Sequence, residues 1–218
     1  LEDVDNDGDV DIILVNNVSE NIGNGGSAQL NRVYLNDGGT FTEDETIFQT
    51  PDNVRVVKLR DVNGDGNPDI VAGATWSGNS YILFGDGNGG FDPGGSTPEG
   101  IRIGSLDLGD ADNDGDLDIV VSNYGPKQEL GGVDDPGAPL QLWLNDGAGN
   151  FTNSGLLPTD MGSHVAYSWS VNFVDVDNDF DFDIVASSAG GGTNTPQDLD
   201  TFPQTRVFIN DNGTWAEF

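Results

Sequence analysis

The chain has 218 residues, contains no cysteine, and carries 38 acidic side chains against seven basic ones, a formal charge of −31. A field of that sign repels nucleic acid, anionic membrane surfaces and polyanionic sugars, and it attracts cations. The chain is long enough to bury a core, and no apolar run approaches the roughly 18 residues of a membrane span. We therefore expect no nucleic-acid partner and no membrane insertion.

An acidic loop that runs directly into an apolar strand occurs four times along the chain. It reads DVDNDGDVDIIL at its first occurrence, and then DVNGDGNPDIVA, DADNDGDLDIVV and DVDNDFDFDIVA. The loops start 58, 49 and 65 residues apart, and self-similarity on this scale is typical of propellers, solenoids and tandem arrays. Acidic loops 1 to 4 are residues 3–11, 61–69, 110–118 and 175–183, and their residues are numbered position 1 to position 9.

The same order of strands follows each acidic loop. The apolar strand leads through a variable Gly/Asn-rich connection to a second strand such as RVYLNDG or LQLWLNDG, whose ending predicts a tight hairpin turn. A third strand opens on an aromatic residue, and another strand precedes loops 2 to 4, as in NVRVVKLR. These features predict an all-β fold, a β-propeller of four-stranded antiparallel blades. We expect a single propeller segment over 1–218, with repeats at approximately 1–52, 53–100, 101–163 and 164–218.

The quoted motifs, DVNGDGNPDIVAGA with YILFGDGNGGF and DVDNDGDVDIILVNN with NRVYLNDGGTF, resemble the FG-GAP or VCBS-type repeats of calcium-binding β-propellers. The resemblance covers essentially the whole chain. It implies a propeller, often seven-bladed, of the kind found in extracellular proteins such as integrin heads, lectins and accessory modules of secreted enzymes. It does not assign one activity.

The acidic loops themselves predict calcium sites. They open like an EF-hand loop, in which positions 1, 3 and 5 give side-chain oxygens, position 7 gives a carbonyl and Gly at position 6 allows the turn. An Asp at position 9 closes each loop, and many flexible carboxylates favour Ca²⁺ over Mg²⁺. The alternative is a set of Asx-turns with solvated carboxylates and no metal. The predicted ligands are Asp3, Asp5, Asp7, Asp9, Asp11, Asp61, Asn63, Asp65, Asn67, Asp69, Asp110, Asp112, Asp114, Asp116, Asp118, Asp175, Asp177, Asp179, Asp181 and Asp183.

The four loops are not equivalent. Loop 2 keeps its ligand oxygens but has a lower charge, because Asn63 and Asn67 stand at positions 3 and 7. Loop 4 has Phe180 at position 6, where the other loops have glycine. A bulky residue in a left-handed conformation costs on the order of 1–2 kcal/mol. We therefore expect three Ca²⁺ sites and regard a fourth, at 175–183, as doubtful.

A ligand is expected on the face opposite the calcium loops. In a four-stranded blade the variable connections between the second and third strands lie there, and variable loops on a rigid scaffold commonly carry function. Trp76 and Tyr124 stand just past their strands on that face and could stack on a sugar or anchor a protein partner. The alternative is that both residues cap the blade ends.

No catalytic motif is visible, so we expect a binding module and not an enzyme. The predicted function is an extracellular or cell-surface, secreted recognition or adhesion module for a glycan or an extracellular protein. The alternative is the scaffold domain of a secreted polysaccharide-degrading hydrolase or lyase. The scattered basic residues speak against a lyase, which needs cations to hold a uronate chain.

The four repeats are expected to form an arc of a larger, about seven-bladed propeller. The sequence starts inside an acidic loop, without the strand that precedes it, and ends at GTWAEF, the opening of an outermost strand. A four-bladed ring would therefore lack one strand and leave an unpaired edge. The expectation is that further blades, or partner chains, complete the propeller.

Overall fold

A computed structural model shows an all-β protein, and the described chain divides into two compact units. One unit is formed by 1–97 together with 146–150, and the other by 98–145 together with 151–218. Among the described residues no helix is long and apolar enough to cross a membrane. The structure describes residues 1–16, 30–45, 47–48, 53–74, 80–95, 103–123, 140–157, 167–189 and 205–218.

The first unit holds two antiparallel sheets, one from each of the first two repeats. Within the described residues the first sheet has three strands in the order β1-β2-β3, and the second has four in the order β4-β5-β6-β7. In both sheets, neighbours in space are neighbours in sequence. The strands are β1 (Ile12–Leu14), β2 (Arg32–Asp37), β3 (Thr40–Asp44), β4 (Val54–Arg60), β5 (Asp69–Ala74), β6 (Tyr81–Gly85) and β7 (Phe91–Pro93).

The second unit repeats this arrangement with two four-stranded antiparallel sheets, ordered β8-β9-β10-β11 and β12-β13-β14-β15. A β-bulge interrupts the pairing of the first two strands in each, between Ile103 and Ser105 and between Ser168 and Ser170. The strands are β8 (Ile103–Gly109), β9 (Asp118–Asn123), β10 (Gln141–Asn145), β11 (Phe151–Asn153), β12 (Tyr167–Val174), β13 (Asp183–Ala189), β14 (Thr205–Asp211) and β15 (Thr214–Glu217).

The predicted strand order is confirmed, and each sheet has the meander topology of a propeller blade. Acidic loops 2 to 4 each join the first two strands of their sheet, and acidic loop 1 immediately precedes β1. The Asn-Asp or Gly-Asp turn joins the last two strands of each sheet, so the acidic loop and the turn lie at the same end. The turns differ in kind. Asp37 pairs with Thr40 across a two-residue hairpin whose residues Gly38 and Gly39 have φ of 59° and 91°, as a type I′ turn requires.

The core of each unit lies between its two sheets. In the second unit Val120, Leu142, Ile184 and Phe208 are among the buried residues of one cluster, to which position 2 of loop 3, Ala111, also belongs. Alternation of inward and outward side chains along each strand produces this packing. Acidic loop 3 is therefore anchored at position 2 by the hydrophobic core beneath it.

Position 2 is not buried in every loop. Val4 and Val62 are as well buried as Ala111, whereas Val176 of loop 4 is 45% exposed. Val4 packs in the core of the first unit, with residues of the second sheet such as Ile70. In both units, therefore, the second sheet covers position 2 of the first sheet's acidic loop.

Candidate metal centres

The acidic loops owe their shape to two residues in the left-handed backbone region. Position 4 has φ between 59° and 77° in all four loops, and position 6 has φ between 77° and 98°. Asn and Gly tolerate this region best, which explains why Asn-x-Gly or Gly-x-Gly fills these positions in loops 1 to 3. The two left-handed residues curl the backbone so that its amides point at the loop's own carboxylates.

Position 1 closes the curl by accepting two backbone hydrogen bonds. In loop 3 the two oxygens of Asp110 accept from the amides of Asp114 at 3.1 Å and Gly115 at 3.0 Å. In loop 2 Asp61 accepts from Gly64 and Gly66, both at 2.8 Å. The same pattern, a carboxylate facing the amides of positions 4 to 6, recurs in loops 1 and 4.

Positions 3 and 5 continue the pattern at a spacing of two residues. In loop 2 Asn63 accepts from the amide of Asp65 at 3.0 Å, and Asp65 accepts from the amide of Asn67 at 2.8 Å. These are the Asx-turns that short acidic side chains favour. In Asp65 the backbone uses only one of the two carboxylate oxygens, whereas Asn63 has a single oxygen, which would have to bind an ion while it accepts from the backbone amide.

Position 9 is a buried carboxylate with both oxygens hydrogen-bonded to backbone. Asp118 is 1% exposed, and it accepts from the amides of Ala111 and Asn145, both at 2.8 Å. One bond ties the end of the loop to its beginning, and the other ties the loop to the end of β10. The equivalent pairs are Val4 and Asn36 for Asp11, Val62 and Gly85 for Asp69, and Val176 and Asn210 for Asp183.

The curled loops bring positions 1, 3 and 9 together. In loops 1, 3 and 4 one oxygen from each of these aspartates lies within 4.8 Å of the other two. Loop 2 has the same left-handed residues and a similar set of hydrogen bonds, with Asn63 contributing an amide oxygen at position 3. The acid groups are Asp3, Asp5 and Asp11; Asp110, Asp112 and Asp118; and Asp175, Asp177 and Asp183.

Crowding and burial disfavour the ionised form of these carboxylates when no cation is bound. Desolvation raises the pKa of Asp118 to about 7, although the amides of Asn145 and Ala111 lower it, and the charges of Asp112 and Asp114 add to the rise. Desolvation is also the first cause of a raised pKa at four other loop aspartates. These are Asp5, Asp69, Asp112 and Asp177.

The donor set fits a hard dication. Three carboxylate oxygens converge in each of loops 1, 3 and 4, and oxygen-only sites of this flexibility suit Ca²⁺. No cysteine exists in the chain. A bound cation would also favour the ionised form of Asp118, whose pKa the fold raises. The sequence prediction that the acidic loops could hold a metal ion is therefore supported, and the identity of the ion stays a prediction.

Loop 4, which the sequence marks as doubtful, forms the same acid group as loops 1 and 3. Phe180 does adopt the left-handed conformation, with φ of 77°, and its side chain is 90% exposed. A Cβ built at Gly8, Gly66 or Gly115 meets no atom within 4 Å, so position 6 faces open space. The cost of Phe180 is therefore backbone strain and not a steric clash.

Position 7 has a structural task that the sequence did not indicate. The side chain of Asp9 accepts from the amide of Gly38 at 2.7 Å, and that of Asp181 accepts from the amide of Asn212 at 2.8 Å. Each bond fastens an acidic loop to the neighbouring hairpin turn. Asp37, the last residue of β2, also forms an acid group with Asp7 and Asp9. The Asn-Asp-Gly motif predicted the turn but not this proximity.

The two proposed ligand-face residues, Trp76 and Tyr124, lie outside the described residues, so their role stays a prediction.

Comparison with protein families agrees with the repeat pattern. A family model described as FG-GAP-like repeat matches residues 3–72 and 61–121, which together make up more than half of the chain. Each matched segment contains two successive acidic loops. No curated protein matches the chain. The sequence motifs, the blade topology and this match lead to one conclusion: the chain belongs to the FG-GAP-like repeat family.

Proposed function

We propose that the acidic loops bind Ca²⁺ and that the chain is a calcium-stabilised, non-catalytic recognition module. The observation that carries the proposal is the convergence of the aspartates at positions 1, 3 and 9 in loops 1, 3 and 4. Like charges held this close repel one another, and a dication converts the repulsion into attraction. Each ion then links the entry and exit of a loop between two strands.

Weak affinity would suffice outside cells. Exposed calcium modules of extracellular proteins have dissociation constants of roughly 10⁻⁴–10⁻³ M. Most loop carboxylates here are partly or fully exposed, so the sites are open to solvent and exchange with free Ca²⁺. A secreted location, which the family resemblance implies, is therefore part of the proposal.

The calcium proposal is tested by thermal unfolding and calorimetric titration. Ligand binding to the native state adds RT ln(1+[L]/Kd), which is about 2.7 kcal/mol per site at a hundredfold excess over Kd. We expect a large rise in Tm from chelator to millimolar Ca²⁺, and a smaller rise in Mg²⁺ at the same ionic strength. An unchanged melting curve, together with no heat of calcium binding, would refute the proposal.

A surface away from the loops supports the recognition role. In the first unit a cavity of about 430 Å³ lies at the end of the first sheet opposite acidic loop 1, where β2 begins and β3 ends. Its lining includes the apolar Leu30 and Phe48 and the ion pair between Arg32 and Glu43, whose atoms are 3.0 Å apart. The charged groups and the aromatic ring of Phe48 offer polar contacts and a stacking surface to a ligand.

The recognition role is tested by glycan-array and protein pull-down binding in calcium and in chelator. We expect calcium-dependent binding without turnover, and weaker binding by Arg32→Ala. Arg206→Ala, which removes a similar strand-to-strand ion pair with Glu217 in the second unit, is the matched control. Release of products from polysaccharides by this chain would instead favour the scaffold of a degrading enzyme.

A further inference from the structure

Within each unit, a side chain of one acidic loop contacts the next acidic loop. In the first unit the amide nitrogen Nδ2 of Asn6, at position 4 of loop 1, donates to Oδ1 of Asn67, at position 7 of loop 2, at 3.4 Å. In the second unit Nδ2 of Asn113, at position 4 of loop 3, donates to Oδ1 of Asp181, at position 7 of loop 4, at 2.7 Å. The link therefore recurs at the same positions.

The two links differ in strength. The acceptor in the first unit is a neutral amide at the limit of hydrogen-bond distance. The acceptor in the second unit is a carboxylate, Asp181, which is 9% exposed and whose second oxygen accepts from the amide of Asn212 at 2.8 Å. Hydrogen bonds to a charged, buried acceptor are shorter and stronger than neutral ones. The side chain of Asp181 is thus held from two sides.

The stronger of the two hydrogen bonds, from Asn113 to Asp181, lies next to the strained residue Phe180. Asp181 directly follows Phe180, whose φ is 77°, whereas Asn67 follows Gly66, for which a φ of 90° carries no strain. Phe180 is 90% exposed, so packing of its ring contributes little to holding this conformation. Among the four position 6 amides, that of Phe180 also makes the longest bond to its position 1 carboxylate, at 3.2 Å.

We propose that Asn113 is a positioning residue for the ion site of loop 4, and that its bond to Asp181 couples loops 3 and 4. This inference rests on the proposed function, because it assumes that both loops bind Ca²⁺. Holding Asp181 keeps the backbone after Phe180 in the curled form that brings Asp175, Asp177 and Asp183 together. Without that support the strain at Phe180 opens the loop and weakens its site.

Coupling follows because Asn113 lies between two predicted ligands of loop 3, Asp112 and Asp114. An ion in loop 3 fixes the backbone at Asn113 and, with it, the bond to Asp181. Filling loop 3 therefore raises the affinity of loop 4, and by linkage filling loop 4 raises that of loop 3 by the same factor.

The test measures each loop separately by hydrogen exchange across a calcium titration. The midpoints of protection for peptides spanning 175–183 and 110–118 report loops 4 and 3. Asn113→Gly keeps the left-handed backbone and removes the donor. We expect it to raise the calcium midpoint of loop 4 on the order of 10-fold, as for loss of a bond to a charged group. A merely structural role would change protection in chelator without moving the midpoint.

The first unit supplies the matched control. Asn6→Gly removes the equivalent donor next to an unstrained Gly66, and we expect it to shift the midpoint of loop 2 by less than about 3-fold. Phe180→Gly supplies the second control, because it relieves the strain. In the Phe180→Gly background, Asn113→Gly should shift the midpoint of loop 4 by less than about 3-fold.

Three results would contradict either the inferred coupling or the calcium proposal beneath it. Equal effects of Asn113→Gly and Asn6→Gly, or an undiminished effect in the Phe180→Gly background, would overturn the inference and leave calcium binding intact. Absence of any calcium response in the unmodified chain would overturn the proposed function itself. Should Asn113→Gly fail to fold, Asn113→Asp places a charge against Asp181, and an unchanged midpoint for loop 4 would then refute the inference.

Discussion

Asp118 and Asn145 stand 27 residues apart, and the amide of Asn145 donates to Oδ1 of Asp118 at 2.8 Å. This bond joins the end of acidic loop 3 to the end of β10, and the second oxygen of Asp118 holds the loop's own beginning at Ala111. Position 9 therefore has two tasks. It is a predicted calcium ligand, and it fastens three segments of the blade whether or not an ion is bound.

The two tasks can be separated by comparing positions 9 and 3 of one loop. Asp118→Ala leaves two buried amides without their acceptor, and each such group costs about 1–3 kcal/mol. We expect it to lower the free energy of unfolding by at least about 2 kcal/mol in chelator as well as in Ca²⁺. Denaturant unfolding in both conditions measures this.

Asp112→Ala is the matched variant at position 3. Its exposed carboxylate is repelled by Asp114 and Asp110, so its removal should be nearly neutral in chelator. In Ca²⁺ the same variant should lose much of the stabilisation that the ion gives. Equal losses for Asp112→Ala in chelator and in Ca²⁺ would contradict the assignment of position 3 to the metal.

The ions bound in loops 3 and 4 should contribute different amounts to the calcium-induced rise in Tm. Asp112→Ala and Asp177→Ala remove the same position from acid groups of the same composition, but loop 4 also carries the strain of Phe180. Part of the binding free energy in loop 4 is needed to hold that strain. We therefore expect Asp112→Ala to reduce the calcium-induced rise in Tm more than Asp177→Ala does. Equal reductions would show that the strain at Phe180 has no effect on the site.

Relief of the backbone strain at Phe180 should raise the free energy of unfolding even without calcium. Phe180→Gly places at position 6 the residue that the other three loops have, and Phe180 is too exposed to lose much packing. We expect a gain of about 1 kcal/mol in the free energy of unfolding, partly offset by the entropy of the unfolded glycine. Gly115→Phe, the reverse change in open space, should cost a similar amount. A loss of stability in Phe180→Gly would contradict this account.

The acidic loops and strands could be predicted because their determinants are local. Carboxylates two residues apart form Asx-turns, and Asn or Gly at position 4 permits the left-handed backbone, so the pattern of one loop contains its geometry. The apolar run after Asp69, DIVAGA, likewise becomes the fully buried β5. The hydrogen bonds that position 7 makes to the hairpin turn and to the neighbouring acidic loop could not be predicted. Asn113 and Asp181 are 68 residues apart, and only the packing of two sheets brings them together.

The role of position 9 could be predicted from the sequence only in part. The sequence predicted Asp11, Asp69, Asp118 and Asp183 as ligands, but not their burial or their bonds to a later strand. A local signal does exist, since each of these aspartates directly precedes the apolar run of a strand that packs in the blade. The partner amides, such as Gly85, lie beyond the variable connection, and pairing across that gap is set by the register of the sheet.

The raised pKa of Asp118, about 7, predicts how the calcium-free protein responds to pH. Its ordinary value is 3.8, so between roughly pH 4 and pH 7 the folded chain binds a proton that the unfolded chain does not. The stability contributed by that proton is complete below the ordinary pKa and is lost as pH rises through 7. We expect the Tm in chelator to fall from pH 5.5 to pH 8, and calcium affinity to rise over the same range because Ca²⁺ binds the ionised form. Asp118→Asn should be less stable but show a flatter pH dependence, and a Tm that rises with pH in chelator would contradict the prediction.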